Sequence, residues 1–419
     1  MKYIKILKKL VYAIFLIILL FVFASCKDDK KTTDTQNEIT TDTETEEIID
    51  SVETEEDTED TEFEDESEED SDKDEDDETE ETTKKRPNNN TPYPTQTYYS
   101  YLTGLKCKSR KQQRKRPLSV IIGNSRDSMP NVGLSRADII YECMVEGGIT
   151  RLMMILSDYE DVPVFGSVRS SREYFIDLSR SFDTLYIHAG GNPQDYDQFD
   201  IRPIDRIDGV HKAYPNTFYR DMERRKTMAL EHTLMTSGEN LAKEIEGRGY
   251  RTTLNTDYKG AFKFNTEFTD IGGDDKIANY ICVPYSNGVK PEFIYNPDDN
   301  LYYRNQYGKA HIDGETGEQL RFENVIVIFA EYTPFRGNAI AIREGHYACK
   351  LTGTGYGFYI TGGKYKVIKW QKETRESVMN LYNTDNSDLL LNPGKSFICV
   401  TSTAYNKSVV INADLKDIG

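Results

Sequence analysis

The polar and apolar positions divide this chain into stretches that behave differently. Residues 10–23 form an almost unbroken apolar run behind a basic start carrying Lys2, Lys5, Lys8 and Lys9. The run is too short to span a bilayer comfortably, so residues 1–25 read as a signal peptide. Residues 28–83 are nearly all Asp, Glu, Thr and Ser. They offer too little apolar surface for a core, so 26–105 reads as a disordered acidic tether and linker. From Pro117 to about Tyr250 apolar runs alternate with helical spacing. Strands are predicted at 118–122, 139–141, 152–156 and 185–187, and helices at 171–182 and 238–246. From Phe262 short aromatic and β-branched runs separated by Gly, Asn and Asp predict strands at 280–283, 301–303, 324–329, 356–360, 365–370 and 396–400. The pattern therefore predicts an α+β chain. A mixed α/β N-terminal domain (117–255) precedes an antiparallel, β-rich C-terminal domain (256–405) and a tail at 406–419.

Charge changes this picture in one respect. The chain holds 52 Lys and Arg against 71 Asp and Glu, a net charge of −19. The tether alone carries about 30 acids against Lys30, Lys31 and Lys73, roughly −27, so the acidity belongs to the tether and not to the folded part. As a random coil the tether spans about 50 Å, and fully extended about 260 Å, enough to hold a domain clear of a membrane. A basic collar at 106–116 follows, with Lys106, Lys108, Arg110, Lys111, Arg114, Lys115 and Arg116. It suits anionic lipid or wall polymer, or folds back on the acidic tether. Export and the lack of interleaved aromatics argue against nucleic acid. The apolar run ends in Ala24-Ser25-Cys26, which resembles a lipobox and makes Cys26 the expected lipidation site, with the membrane as partner.

Candidate chemistry concentrates in residues 133–192, where Asp138, Glu142, Glu146, Arg151, Arg169, Arg172 and His188 interrupt core-like runs. Buried charges are costly unless they are paired or bind something. Ser170 and Glu173 have the spacing of a capping box, with Ser170 as the cap. Arg169 and Arg172 then flank a positive helix end, which calls for an anion. That anion is either a ligand or one of Glu142, Glu146 and Asp138. His188 ends a strand before Ala189-Gly190-Gly191, and Asn192-Pro193 reads as the cap and first residue of another helix. With five histidines in the chain, His188 and His232 are the candidates for acid–base work. The ligand-binding candidates are thus Glu142, Glu146, Arg151, Arg169, Ser170, Arg172, His188, Asn192 and His232. No His-x-x-x-His, Cys-x-x-Cys or calcium loop argues for a metal, no cofactor motif is present, and no Gly-x-Ser-x-Gly elbow argues for a serine hydrolase. The glycines of Gly353-Thr354-Gly355-Tyr356-Gly357 read as a hairpin and not a phosphate cradle.

Several ordered motifs carry a resemblance to the YerB-like lipoprotein family. They include Gly133-Leu134-Ser135-Arg136-Ala137-Asp138, Glu146-Gly147-Gly148-Ile149-Thr150-Arg151, Val168-Arg169-Ser170-Ser171-Arg172, Tyr186-Ile187-His188-Ala189-Gly190-Gly191, Trp370-Gln371-Lys372 and Asn392-Pro393-Gly394-Lys395. The resemblance covers roughly 116–402. It implies a two-domain, lipid-anchored, mostly Gram-positive envelope protein and assigns it no reaction. Two departures stand out: Gly123 where an Asp usually precedes the Asn, and Glu231-His232-Thr233 in place of Pro-His-Asn. The expectation is an extracytoplasmic lipoprotein with a binding or accessory role, a charged anion-binding cleft in its first domain, and an anionic wall polymer or envelope protein as partner. The alternative is an envelope hydrolase or transferase using His188 with Glu142 or Glu146 as base.

Overall fold

The computed structural model describes residues 97–211, 213–272, 276–337 and 339–412. The expected signal peptide, Cys26 and the acidic tether lie outside the described residues. All described residues belong to one unit, Asn89–Gly419.

Ten strands form one path through a mixed sheet, and an eleventh pairs beside it. In chain order the elements are β1 (Leu118–Gly123), β2 (Ile139–Met144), β3 (Thr150–Leu156), α1 (Glu173–Arg180), β4 (Leu185–His188), α2 (Pro193–Ile201), β5 (Arg206–Asp208), β6 (Leu234–Thr236) and α3 (Gly238–Gly247). The second half supplies β7 (Tyr280–Cys282), β8 (Glu292–Asn296), β9 (Leu301–Gln306), β10 (Asn324–Pro334), α4 (Ala339–Glu344), β11 (Tyr347–Lys350), β12 (Gly353–Thr361), β13 (Lys364–Lys372), β14 (Asn380–Asn383), β15 (Ser396–Ser402) and β16 (Val410–Asn412). The large sheet runs β14-β13-β12-β10-β15-β2-β3-β1-β4-β5, with β11 paired to β10. Its centre is parallel, because β15 lies between β2 (Ser396 opposite Ile139) and β10 (Ser396 opposite Asn324). A strand from the end of the chain therefore joins the two halves into one sheet.

This sheet is covered on both faces, which is why β1, β2 and β3 are buried along their whole length instead of alternating with solvent. Leu118, Val120, Leu152, Met154 and Phe397 point to one face, where a second, antiparallel sheet built on β7, β8, β9 and β16 packs with α3. Ile121, Tyr141, Met153, Ile155 and Ile398 point to the other, against Tyr174, Phe175 and Leu178 of α1 and Phe199 of α2. The fold is α+β, as the periodicity predicts. Helix α3 starts at Ser237, whose side chain accepts the Asn240 N–H at 3.1 Å. Gly238 is required there, since a Cβ would stand 1.7 Å from the Tyr159 carbonyl oxygen.

The start of α1 differs from the sequence expectation. Arg172, and not Ser170, is the N-cap residue, and it makes no side-chain cap bond. Residues 169–171 are extended because Ala189 N–H donates to the Arg169 carbonyl and Ser171 N–H to the Gly190 carbonyl, each at 2.9 Å. Ser171 Oγ lies 2.8 Å from Tyr186 Oη, and Glu173 is taken by Arg375. The glycine-rich run at 353–357 forms the first half of strand β12, and the turn of its hairpin is Gly362-Gly363. Gly355 leaves room for Trp370, whose indole would lie 2.5 Å from an added Cβ.

The two packed sheets are tied by a buried ion pair. Arg304 of β9 donates through Nη2 to Glu142 Oε2 of β2 at 2.8 Å, and neither side chain is exposed. Removing one member of such a pair strands the other in apolar surroundings. Arg304→Met is expected to cost about 3–5 kcal/mol of stability. In denaturant unfolding, the Glu142→Gln/Arg304→Met double variant should lose less than the two single losses added together.

Candidate functional site

The charged candidates separate into four places. Glu142 lies on the face of β2 that meets the second sheet. Its Oε1 accepts from Asn124 Nδ2 (2.9 Å) and Thr150 Oγ1 (2.7 Å), and its Oε2 accepts from Arg304. Arg304 also donates to His311 Nδ1 and to Gln306 Oε1. Burial, followed by the Arg304 charge, pushes the His311 pKa well below its ordinary value. The imidazole is therefore neutral, with Nδ1 accepting from Arg304 and Nε2 donating to Asn131 Oδ1 at 2.7 Å. This cluster ties the two sheets together, and its ion pair is fully buried.

On the opposite face Glu146, Arg151, Ser170, Arg172 and Asn192 come together. Glu146 follows β2 in a turn that needs Gly147 and Gly148 at positive φ (60° and 75°), which aims its carboxylate back at the sheet. Its Oε1 accepts from Arg151 Nη2 and its Oε2 from Arg172 Nη2. Arg151 also donates to the Ser170 carbonyl at 3.1 Å, and Arg172 to the Ser171 carbonyl at 2.6 Å. Arg172 Nε is buried without a partner among the described residues. Burial raises the Glu146 pKa, but Arg151 and Arg172 outweigh it and leave the value at about 2. The anion called for by the arginines at this helix start is thus supplied from within the chain, and two guanidiniums share it.

Of these groups Arg172 and Asn192 line a cleft of about 210 Å³ bounded by α1, the start of α2, β11 and Arg375, and Glu146 is linked to it through Arg172. Asn192 caps α2, and its N–H donates to Asp195 Oδ2 at 2.7 Å. Its Nδ2 reaches across the cleft to His346 Nδ1 at 2.7 Å, while His346 Nε2 donates to Glu344 Oε2 at 2.9 Å. Burial raises the Asp195 pKa to about 7, against the pull of Arg172. Arg375 donates to Asp177 Oδ2 at 2.8 Å and to Glu173.

The remaining candidates lie elsewhere. His188 is fully buried, with its ring stacked on Phe199 at 5.1 Å between centroids. Its Nδ1 donates to the Gly190 carbonyl at 2.8 Å and its Nε2 has no partner among the described residues. Burial lowers its pKa to about 4. Arg169 donates to the Glu231 carbonyl at 2.7 Å and lies 3.5 Å from its carboxylate. His232 is buried beside this pair, its Nε2 3.8 Å from Glu231 Oε1 and its Nδ1 unpartnered among the described residues. Gly123 belongs to the same place: an added Cβ would stand 3.0 Å from Arg169 Cγ, so the missing side chain makes room for the arginine stem. Sequence reasoning missed His346, Asp195, Arg375 and Arg304. Asp195 alone had a local signal, three residues beyond the Asn192 cap, where an acid closes a capping box.

The comparisons with known proteins agree with this architecture. Residues 102–251 match the N-terminal domain, and residues 281–398 the C-terminal domain, of the family described as protein of unknown function (DUF3048). The chain is 29% identical over 303 residues to "Putative lipoprotein YerB" of Bacillus subtilis (strain 168), covering 71% of this chain and 84% of that protein. The crystal structure of the Bacillus subtilis YerB protein superposes with a TM-score of 0.64 at 26% identity, over 75% of this chain and 99% of the other.

Glu146 carries a pH signature. Its folded pKa of about 2 lies below its ordinary 4.5, so its contribution is complete above about pH 4.5 and fades as pH falls toward 2. Glu146→Gln should cost about 3 kcal/mol at pH 7. In thermal melts, the gap to the unaltered protein should narrow steadily below pH 4.5.

Proposed function

The chain belongs to the DUF3048 family, and we propose that it is a lipid-anchored lipoprotein of the bacterial envelope. Its cleft at the start of α1 binds a partner through an anionic group, a carboxylate or phosphate of a wall polymer or an envelope protein. Support for the anchor comes from Cys26 behind two small residues and an apolar run, and from the name borne by YerB. No helix among the described residues is long and apolar enough to cross a membrane.

The observation that carries the binding reading is a charge imbalance. Arg151 and Arg172 share a single carboxylate, Glu146, and Arg172, which lines the cleft, has an Nε unpartnered among the described residues. While Asp195 is protonated, Arg172 has only a shared carboxylate beside it, and an incoming anion gives it a second partner. The catalytic alternative finds less support. His188 is packed under α2, Glu142 is locked to Arg304 on the other face, and Glu146 is held ionised by two arginines.

Sulfate keeps a constant charge near neutrality and serves as the probe in calorimetric titration. Asp195 titrates at about 7 and its ionised form competes with the ligand. Sulfate should therefore bind about tenfold more tightly at pH 6 than at pH 8. Arg172→Ala should abolish binding while Arg151 keeps Glu146 paired and the fold intact. Equal sulfate affinity in the unaltered protein and Arg172→Ala would contradict the reading. For the anchor, Cys26→Ser should eliminate fatty-acid labelling in cells, and unchanged labelling would refute lipidation at Cys26.

A further inference from the structure

One wall of this cleft is the outer edge of strand β11. Tyr347, Ala348, Cys349 and Lys350 lie opposite Pro334, Thr333, Tyr332 and Glu331 of β10, and Phe335 N–H donates to the His346 carbonyl at 2.8 Å. Hydrogen-bonded and non-bonded pairs alternate along an antiparallel ladder. The Phe335–His346 bond fixes the phase, so Ala348 and Lys350 turn their backbone groups toward β10. Tyr347 and Cys349 turn theirs away. No backbone bond to those outward groups occurs among the described residues. Six consecutive residues, from Tyr347 to Thr352, line the cleft together with Glu173, Tyr174 and Asp177 of α1.

We propose, resting on the cleft reading above, that this edge captures an extended polypeptide segment of a partner protein. The segment adds to β11 as a further strand and brings a carboxylate to Arg172. The outward N–H and C=O groups recur every second residue, about 6.8 Å apart, a spacing that another peptide main chain matches and a saccharide does not. Exposed sheet edges invite strand pairing and are normally blunted or covered. Here the edge strand is half-buried, and the cleft that it lines is bounded by α1 and the start of α2. Charge selects the carboxylate: Arg172 and Arg151 have one shared counterion, and Lys350 is exposed at the far end of the strand. The four residues of β11 present about 13 Å of edge, so the recognised segment is short.

The test uses the mature full-length chain and a fluorescein-labelled octapeptide of alternating valine and threonine ending in glutamate. Two further peptides are N-methylated on one or the other alternate set of residues. In fluorescence anisotropy the parent peptide should bind. One methylated set should bind at least tenfold more weakly and the other nearly unchanged, since only one set faces the strand. Cys349→Pro removes an outward N–H without touching the bonds to β10, and should weaken the parent peptide at least tenfold. The methylation comparison is made on the unaltered protein, so it stands even if Cys349→Pro folds poorly. Equal loss from both methylated sets, or no binding at millimolar peptide, overturns strand capture. So does a dimer in sedimentation that disperses in Cys349→Pro, because the occupant would then be a second copy of this chain. Sulfate binding that persists without peptide binding would refute strand capture alone. Loss of sulfate binding in the unaltered protein would refute the cleft reading as well.

Discussion

The contact between Glu142 and Arg304 sets the terms for the rest of the structure. Two charges with no solvent exposure are held 2.8 Å apart, one on the large sheet and one on the sheet that packs against it. Removing both from water costs several kcal/mol each, and only a full set of partners makes that tolerable. Asn124, Thr150, Gln306 and a neutral His311 provide most of that set, with Arg304 Nε left unpartnered among the described residues, and Asn131 extends it to the Gly123 carbonyl. Apolar residues of similar volume would pack this interior at least as stably. What the ion pair adds is a single arrangement, because a shifted register of β9 would leave both charges unpaired.

That registration reaches the cleft through the shared sheet. β15 lies between β2 and β10, so the end of β2, from which Glu146 emerges, is fixed relative to β10 and hence to β11. The cleft needs this, because its walls come from distant parts of the chain. Asn192 meets His346 and Glu173 meets Arg375, contacts that no single half could provide. The same logic separates the two acid groups of the first half. Glu142 and Glu146 are four residues apart, yet one serves the inter-sheet interior and the other pairs with Arg151 and Arg172 on the opposite face, since the chain leaves the strand between them.

Much of the fold was legible because strand and helix periods are local. The strands β1 to β4 and the helix α3 fall within a few residues of where apolar spacing puts them, and Asn192-Pro193 does open α2. The start of α1 was misread because backbone bonds from Ala189 and Gly190 hold residues 169–171 extended, and a capping-box pattern carries no trace of that neighbour. The candidate site was legible only in part. A charge run between apolar strands marks Glu146, Arg151 and Arg172 as unusual, but it cannot say which carboxylate answers which arginine. Arg304 lies 162 residues beyond Glu142 and His346 154 residues beyond Asn192, in segments with no motif of their own. His188 looked functional because it ends a parallel strand before glycines. The stacking with Phe199 depends on where α2 lands, which the sequence around His188 does not encode.

The central claim is that a buried ion pair and a shared strand make the two halves one cooperative body, on which the cleft depends. Native-state hydrogen exchange of backbone amides in β1, β3, β12 and β13 tests it most directly. The account predicts that the slowest amides of all four strands exchange through one common opening with a single free energy and denaturant dependence. It also predicts that Arg304→Met lowers that free energy equally in both halves. Exchange of β12 and β13 through a separate, lower-energy opening that leaves β1 and β3 protected would contradict it.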